Sequence, residues 1–252
     1  MTTWIVFDID GVLIDVSQSF DDAVRKTVNF LLNDRENELS LNDIRKLREK
    51  GVFGDDFKLT ESLIIGLKKF DSLGELVENF QDGKGIGWVR REWDAEVEES
   101  KLVRTFNSFY LGKKYEKNRF DLEGLWRKEK PIVRLELLRR AEEKFKIGVV
   151  TGRDRLELDL AEDIIGYEFD EYVTRDTFLK PDPRALKELV GEENGVYVGD
   201  TSSDQLLVDN YNSRYEGNFE FIKIGLDVDT VNDLLDKLLK KKGVHPRPKT
   251  SL

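Results

Sequence analysis

Two aspartates one residue apart, Asp8 and Asp10, leave the short apolar run Trp4-Ile5-Val6-Phe7 and are followed at once by Gly11. In an extended chain residues i and i+2 face the same side. Two carboxylates so placed repel unless a cation or a proton lies between them. The pair reads either as a solvated strand end or as a metal-assisted nucleophile beside an acid/base, with Gly11 permitting a tight turn out of the site. Three further groups are built alike. Thr151-Gly152-Arg153 follows Ile147-Gly148-Val149-Val150, where a hydroxyl and the N–H of Gly152 can hold an anion or can cap an ordinary turn. Lys180 stands between Leu179 and Pro181; the proline biases it toward an extended backbone, which can aim one ammonium into a cleft or leave it on the surface. Asp200 ends the run Val196-Tyr197-Val198-Gly199, and Asp204 lies near the start of the next helical pattern. Carboxylates of this kind suit Mg²⁺, a hard cation; capping by Ser or Asp explains one of these residues but not the set.

The elements that must position these groups follow from periodicity. Short β-branched and aromatic runs followed by helical patterns read as buried parallel strands in βα units. Residues 4–7, 147–150 and 196–198 are the main strands, with 172–174 and 219–224 as two more. Helices are expected over 132–143, 156–165, 203–211 and 231–239, and over a segment opened by Asp182 and Pro183 and stopped near Gly191. The alternation predicts an α/β fold with a doubly wound parallel sheet. Asp8, Thr151 and Asp200 then each fall at the C-terminal end of a strand, the edge along which open parallel sheets bind ligands. The stretch from about Ser17 to Lys130 has no convincing strand. It predicts helices over 19–32, 41–48 behind Ser40, 61–70 capped by Thr60, 73–80, 88–97 and 101–110. The expected division is a core of 1–16 and 131–242, a helical insert of 17–130, and a flexible tail of 243–252.

Composition narrows the chemistry. Among 252 residues there is no Cys and one His, His245, which stands in the basic tail. That excludes thiolate zinc sites, cysteine nucleophiles and multi-histidine metal sites, and leaves carboxylates, hydroxyls, Lys and Arg. A net charge of −10 argues against a general nucleic-acid or anionic-membrane binder. No apolar run reaches the ~20 residues of a membrane span, and no secretory signal is visible, so a cytoplasmic protein is expected. Charged residues at 37% with one Met match a heat-adapted, thermophile-like composition.

Taken in order, Asp8-Ile9-Asp10-Gly11-Val12-Leu13-Ile14-Asp15, Thr151-Gly152-Arg153, Lys180-Pro181-Asp182-Pro183 and Gly199-Asp200-Thr201-Ser202-Ser203-Asp204 resemble the four motifs of the haloacid dehalogenase-like hydrolase superfamily. The helical insert looks like the mobile cap of the subgroup that includes phosphoglycolate phosphatase-like enzymes. The resemblance implies a Rossmann-like core and a Mg²⁺-dependent phosphatase acting on a small-molecule phosphomonoester. Asp8 would be the nucleophile that forms an aspartyl-phosphate, and Asp10 the general acid/base. Asp8, Asp200 and the carbonyl of Asp10 would hold the metal, with Asp204 completing or orienting that shell. Thr151, Gly152 and Lys180 would bind the phosphoryl group. A carboxylate approaching a phosphate at ~4 Å meets a repulsion of about 4 kcal/mol per unit charge pair at an effective dielectric of 20, which Mg²⁺ and Lys180 offset. Asp10 favours phosphoryl transfer over dehalogenation, because a halide leaves without a proton. A phosphomutase with the same intermediate, or a non-catalytic binding protein on the same scaffold, are the alternatives. Substrate selection is expected from the insert, at Phe53, Asp56 and Lys58, while Trp88, Trp93, Phe106 and Phe109 read as its apolar core. The oligomeric state is not legible.

Overall fold

All four residues of the first strand, β1 (Trp4–Phe7), are buried. A strand with no exposed face must be covered on both sides, and the computed structural model, which describes residues 3–33 and 39–241, arranges it so. After a two-residue strand β2 (Ile14–Asp15) and its antiparallel partner β3 (Lys130–Pro131) come β4 (Lys146–Val150), β5 (Tyr172–Val173), β6 (Gly195–Gly199) and β7 (Phe219–Lys223). The main sheet has five strands in the order β5-β4-β1-β6-β7, all parallel. Phe7 lies opposite Val149 on one side and Val198 on the other. This register sets the ends of β1, β4 and β6 along one edge, so that Asp8, Thr151 and Asp200 all emerge there.

The chain divides into two compact units, one made of the residues up to Asp15 and from Lys130 onward, the other of Val16–Glu129. The second unit is helical: α1 (Phe20–Leu32), α2 (Leu41–Lys50), α3 (Asp56–Leu67), α4 (Leu73–Asn79), α5 (Ile86–Glu92) and α6 (Glu99–Tyr110). Its interior is aromatic. Phe80 packs against Phe53, Trp88 and Trp93, and Phe57 meets Phe106 edge-on. Buried carboxylates tie its helices together: Asp21 accepts from Arg45 and Arg48, Asp22 from Arg25 and Lys128, and Glu61 takes both ends of the Arg90 fork. Three sequence expectations shift here. Thr60 caps nothing; its hydroxyl donates to the Asp56 carbonyl inside α3, which starts earlier because Asp55 accepts from the Lys58 N–H. Ser40 precedes α2 without a side-chain cap bond. The helix expected to run to residue 97 ends at Glu92, and Asp94 takes a positive φ of 46°.

In the first unit, helices α7 (Leu135–Glu142), α8 (Arg155–Ile165), α9 (Arg184–Val190), α10 (Ser202–Arg214) and α11 (Val231–Lys241) alternate with the strands. Pro183, not Asp182, stands at the N-terminal boundary of α9, and Asp182 instead accepts from the Arg184 N–H. The tail read at 243–252, with His245, lies outside the described residues. No helix of the described residues is long and apolar enough to cross a membrane.

Candidate active site

Beyond β1 the chain turns sharply. The Ile9 carbonyl accepts from the N–H groups of Val12, Leu13 and Ile14, and Gly11 takes a φ of 73°. Only glycine adopts that conformation without steric cost, and a Cβ at Gly11 would also collide with the Asp200 carboxylate. The turn therefore packs the loop after β1 onto the loop after β6, as its Asp-x-Asp-Gly spelling anticipates. The strand stops at Phe7, however, so Asp8 and Asp10 do not share one environment. Asp8 is buried, and its carboxylate meets the Lys180 ammonium at 2.8 Å and accepts from the Ile9 N–H. The Asp10 side chain is 30% exposed and is paired with Arg153.

Lys180, joined to Pro181 by a cis peptide bond, is the hub. Its side chain is 9% exposed, and Nζ sits 2.8 Å from both Asp8 Oδ2 and Asp204 Oδ1. Asp204 is saturated with donors. Tyr197 Oη also donates to Oδ1, and the Thr201 N–H and hydroxyl both reach Oδ2. The same Thr201 and Asp204 form the capping box that starts α10, so capping and site building are one arrangement.

Asp8, Asp200 and Asp204 each place a carboxylate oxygen within 4.8 Å of the other two. Three carboxylates around one ammonium leave two negative charges uncompensated. The titration tendencies reflect this. Burial raises Asp8 well above the usual carboxylate range, against the pull of Lys180. Burial, aided by the charge of Asp204, pushes Asp200 up to about 6. Burial also works against the Asp204 carboxylate, but Lys180 and Thr201 outweigh it and hold Asp204 low. Lys180 loses hydration yet stays above its ordinary value because Asp8 and Asp204 flank it.

A divalent cation fits this arrangement. Asp200 Oδ1 is buried and has no hydrogen-bond donor, an uncommon condition for a carboxylate oxygen. The surrounding oxygens are hard donors of the kind Mg²⁺ takes. Asp204 takes donors from Lys180, Thr201 and the Tyr197 hydroxyl, which also lies within reach of the Val150 carbonyl, so Asp8 and Asp200 are the carboxylates of the group that the protein itself engages least.

At the end of β4, Thr151 is buried and its Oγ1 accepts from the Arg153 N–H, while the Gly152 carbonyl accepts from Arg175. The Arg153 side chain is fully buried: Nε and Nη2 lie 2.9 and 2.7 Å from Asp10 Oδ1, and Nη1 donates to the Glu157 carbonyl. Glu157 and Asp154 form the capping box of α8, and Arg175 clamps both carboxylates. Burial pushes Glu157 up to about 6 against the pull of Arg175.

The structure thus brings Asp8, Asp200, Asp204 and Lys180 together, sets Thr151 and Gly152 at the end of the strand beside β1, and pairs Asp10 with Arg153. The three insert residues belong to the helical unit: Phe53 is buried against Phe80, Asp56 pairs with Arg48, and Lys58 pairs with Asp55. The sequence reading gave no role to Tyr197, Thr201 or Arg153. Arg153 carried a signal, a guanidinium one residue past a strand-end glycine. Tyr197 carried none, because a strand buried on both faces does not reveal which side chain reaches a neighbour.

A family model described as "Hydrolase: haloacid dehalogenase-like hydrolase" matches residues 2–204. The chain belongs to the haloacid dehalogenase-like hydrolases. Among solved structures it is similar to the phosphatase Tt82 from Thermococcus thioreducens, with 50% identity, a TM-score of 0.86 and coverage of 94% of this chain and 99% of that one. The fold alone is shared with a HAD-superfamily hydrolase, subfamily IA, variant 1, from Geobacter sulfurreducens PCA (16% identity, TM-score 0.51, 94% and 96% covered). A hydrolase from Pseudomonas syringae is similarly distant (17% identity, TM-score 0.51, 95% and 99% covered). No curated protein matches the sequence.

Proposed function

We propose that this hydrolase is a Mg²⁺-dependent phosphatase that cleaves small-molecule phosphomonoesters through an aspartyl-phosphate on Asp8. The observation that carries the reading is the trio of buried Asp8 with half-buried Lys180 and Asp200, whose excess negative charge and donorless Asp200 oxygen call for a divalent cation beside a nucleophile. The 50% identical phosphatase supports the activity class.

Asp8 and Asp200, with the Asp10 carbonyl, would hold the cation. When bound it neutralises charge on the phosphoryl oxygens and on the attacking carboxylate. Lys180 lowers the same repulsion from the other side, and Asp204, saturated by Tyr197 and Thr201, keeps the ammonium in place. Thr151 and the Gly152 N–H hold phosphoryl oxygens. An Asp8 oxygen bonds to phosphorus as the P–O bond to the alcohol breaks, and the Asp10 carboxyl passes its proton to the departing oxygen. Water then attacks phosphorus, gives its proton to Asp10, and the bond to Asp8 breaks, releasing phosphate. The helical unit, with Phe53, Asp56 and Lys58 in or beside α3, is assigned the selection of the alcohol. The substrate is a small molecule rather than nucleic acid or a membrane component, and the highly charged composition fits an intracellular protein adapted to heat.

The test is release of inorganic phosphate from a panel of phosphomonoesters, at moderate and elevated temperature, with Mg²⁺ and with EDTA. Phosphate release that EDTA abolishes and Mg²⁺ restores is expected. Undiminished activity in excess chelator contradicts the metal assignment, and isomerised sugar phosphates without free phosphate mean a mutase.

A further inference from the structure

Arg153 is the largest side chain among those fully buried. A guanidinium without water is tolerated only when its donors are met and its charge is paired. One charge partner is Asp10, a carboxylate that is 30% exposed and lies on the loop after β1. Two nitrogens, Nε and Nη2, converge on the same oxygen, Oδ1. Gripping one oxygen with a rigid planar fork fixes the rotation of the carboxylate. The arginine is fixed in turn: Nη1 donates to the Glu157 carbonyl in the first turn of α8, and the backbone N–H donates to Thr151 Oγ1. Glu157 is held by Arg175 and by its capping box with Asp154. One residue thereby links the acid/base on the loop after β1 to the hydroxyl at the end of β4.

We propose that Arg153 is a positioning residue: it holds Asp10 by Oδ1 so that Oδ2 is the oxygen that gives the proton to the departing alcohol and later takes one from water. The inference rests on the phosphatase reading, in which Asp10 is the general acid/base. Its signature is a dependence on the leaving group. An alkoxide needs a proton as it departs, whereas a nitrophenolate leaves without one, so in the transfer to Asp8, the step that kcat/KM reports, a misplaced Asp10 harms only the former severely; hydrolysis of the intermediate is common to both.

The experiment compares kcat and KM of the wild type, Arg153→Lys, Arg153→Met, Asp10→Asn and the Arg153→Met/Asp10→Asn double variant on an alkyl phosphate and on p-nitrophenyl phosphate, with Mg²⁺. General acid catalysis contributes on the order of 10²-fold or more, so the alkyl-to-aryl ratio of kcat/KM, which reports the step in which the alcohol departs, should fall by about that factor in Arg153→Met and in Asp10→Asn. Arg153→Lys should fall in the same direction, because an ammonium keeps the charge but loses the fork. The double variant should fall no further than Asp10→Asn, since the two residues act as one unit. The ratio is taken within one sample, so partial unfolding of a variant cancels from it. Equal losses of kcat/KM on both substrates, or additive losses in the double variant, overturn the positioning role. A wild type that cleaves neither ester overturns the phosphatase reading, and this inference with it.

Discussion

Asp8 and Asp204 share one ammonium but are equipped for different work. Asp204 receives Lys180, Tyr197 and two donors from Thr201, while Asp8 receives Lys180 and the Ile9 N–H. A carboxylate surrounded by donors is a poor nucleophile and a good anchor, and one with a single ammonium beside it keeps a lone pair for attack. Asp8→Asn is therefore expected to lower kcat at least about 10³-fold while circular dichroism and Tm stay near those of the wild type; near-normal turnover would remove Asp8 as nucleophile. Tyr197 donates to the Val150 carbonyl or to Asp204 from a fully buried position. Tyr197→Phe should cost about 1–2 kcal/mol of stability in a urea titration, together with a measurable loss in kcat as Lys180 loses part of its support. Unchanged stability and kcat would mean that the hydroxyl contributes nothing to holding Asp204.

At the scale of elements, the site is a set of strand ends and the first turns of the helices that follow. Much of this was legible. Residues 4–7, 147–150 and 196–198 are apolar runs that stop just before Asp8, Thr151 and Gly199-Asp200, because a strand buried on both faces tolerates polar residues only where it ends. The two-residue strands β2 and β3 were not legible, since two residues carry no period and Ile14 opposite Pro131 is set by a partner more than a hundred positions away. Thr60 misled because hydroxyls favour caps, yet inside α3 its hydroxyl bonds back to the preceding turn. The long-range clamp on α8 was equally hidden: Arg175 reaches Glu157 and Asp154 across the sheet edge from the loop after β5. Glu157 is almost fully buried while Arg175 is partly exposed. Removing the cation leaves a buried carboxylate without its charge partner, so Arg175→Ala should cost about 2–3 kcal/mol, and adding Glu157→Gln should recover part of that loss. A destabilisation below about 0.5 kcal/mol, the range of ordinary surface substitutions, would show that the clamp is decorative.

For the whole molecule, two buried or half-buried carboxylates, one of them in the candidate metal group, make stability depend on pH. Asp200 and Glu157 both titrate near 6 in the folded chain, above the ordinary 3.8 and 4.5 of their side chains. Such groups bind more protons folded than unfolded, so their contribution to stability is full below about pH 4 and is lost as the pH rises through about 6. A cation on Asp200 replaces that proton. Mg²⁺ should accordingly raise Tm more at about pH 7.5 than at about pH 4.5, and Asp200→Asn should remove most of the increment; an increment equal at both pH values, or intact in the variant, would place the metal elsewhere. The net charge of −10 and the helical unit between β2 and β3 set the context, but neither performs the chemistry. In the proposed mechanism that rests on a covalent bond between phosphorus and one carboxylate. Its most direct measurement is borohydride trapping during turnover of a cleaved phosphomonoester with Mg²⁺, followed by peptide mass spectrometry. The account predicts reduction of Asp8 alone to homoserine, dependent on both substrate and metal. Steady turnover with Asp8 unmodified, or reduction at another carboxylate, would contradict it.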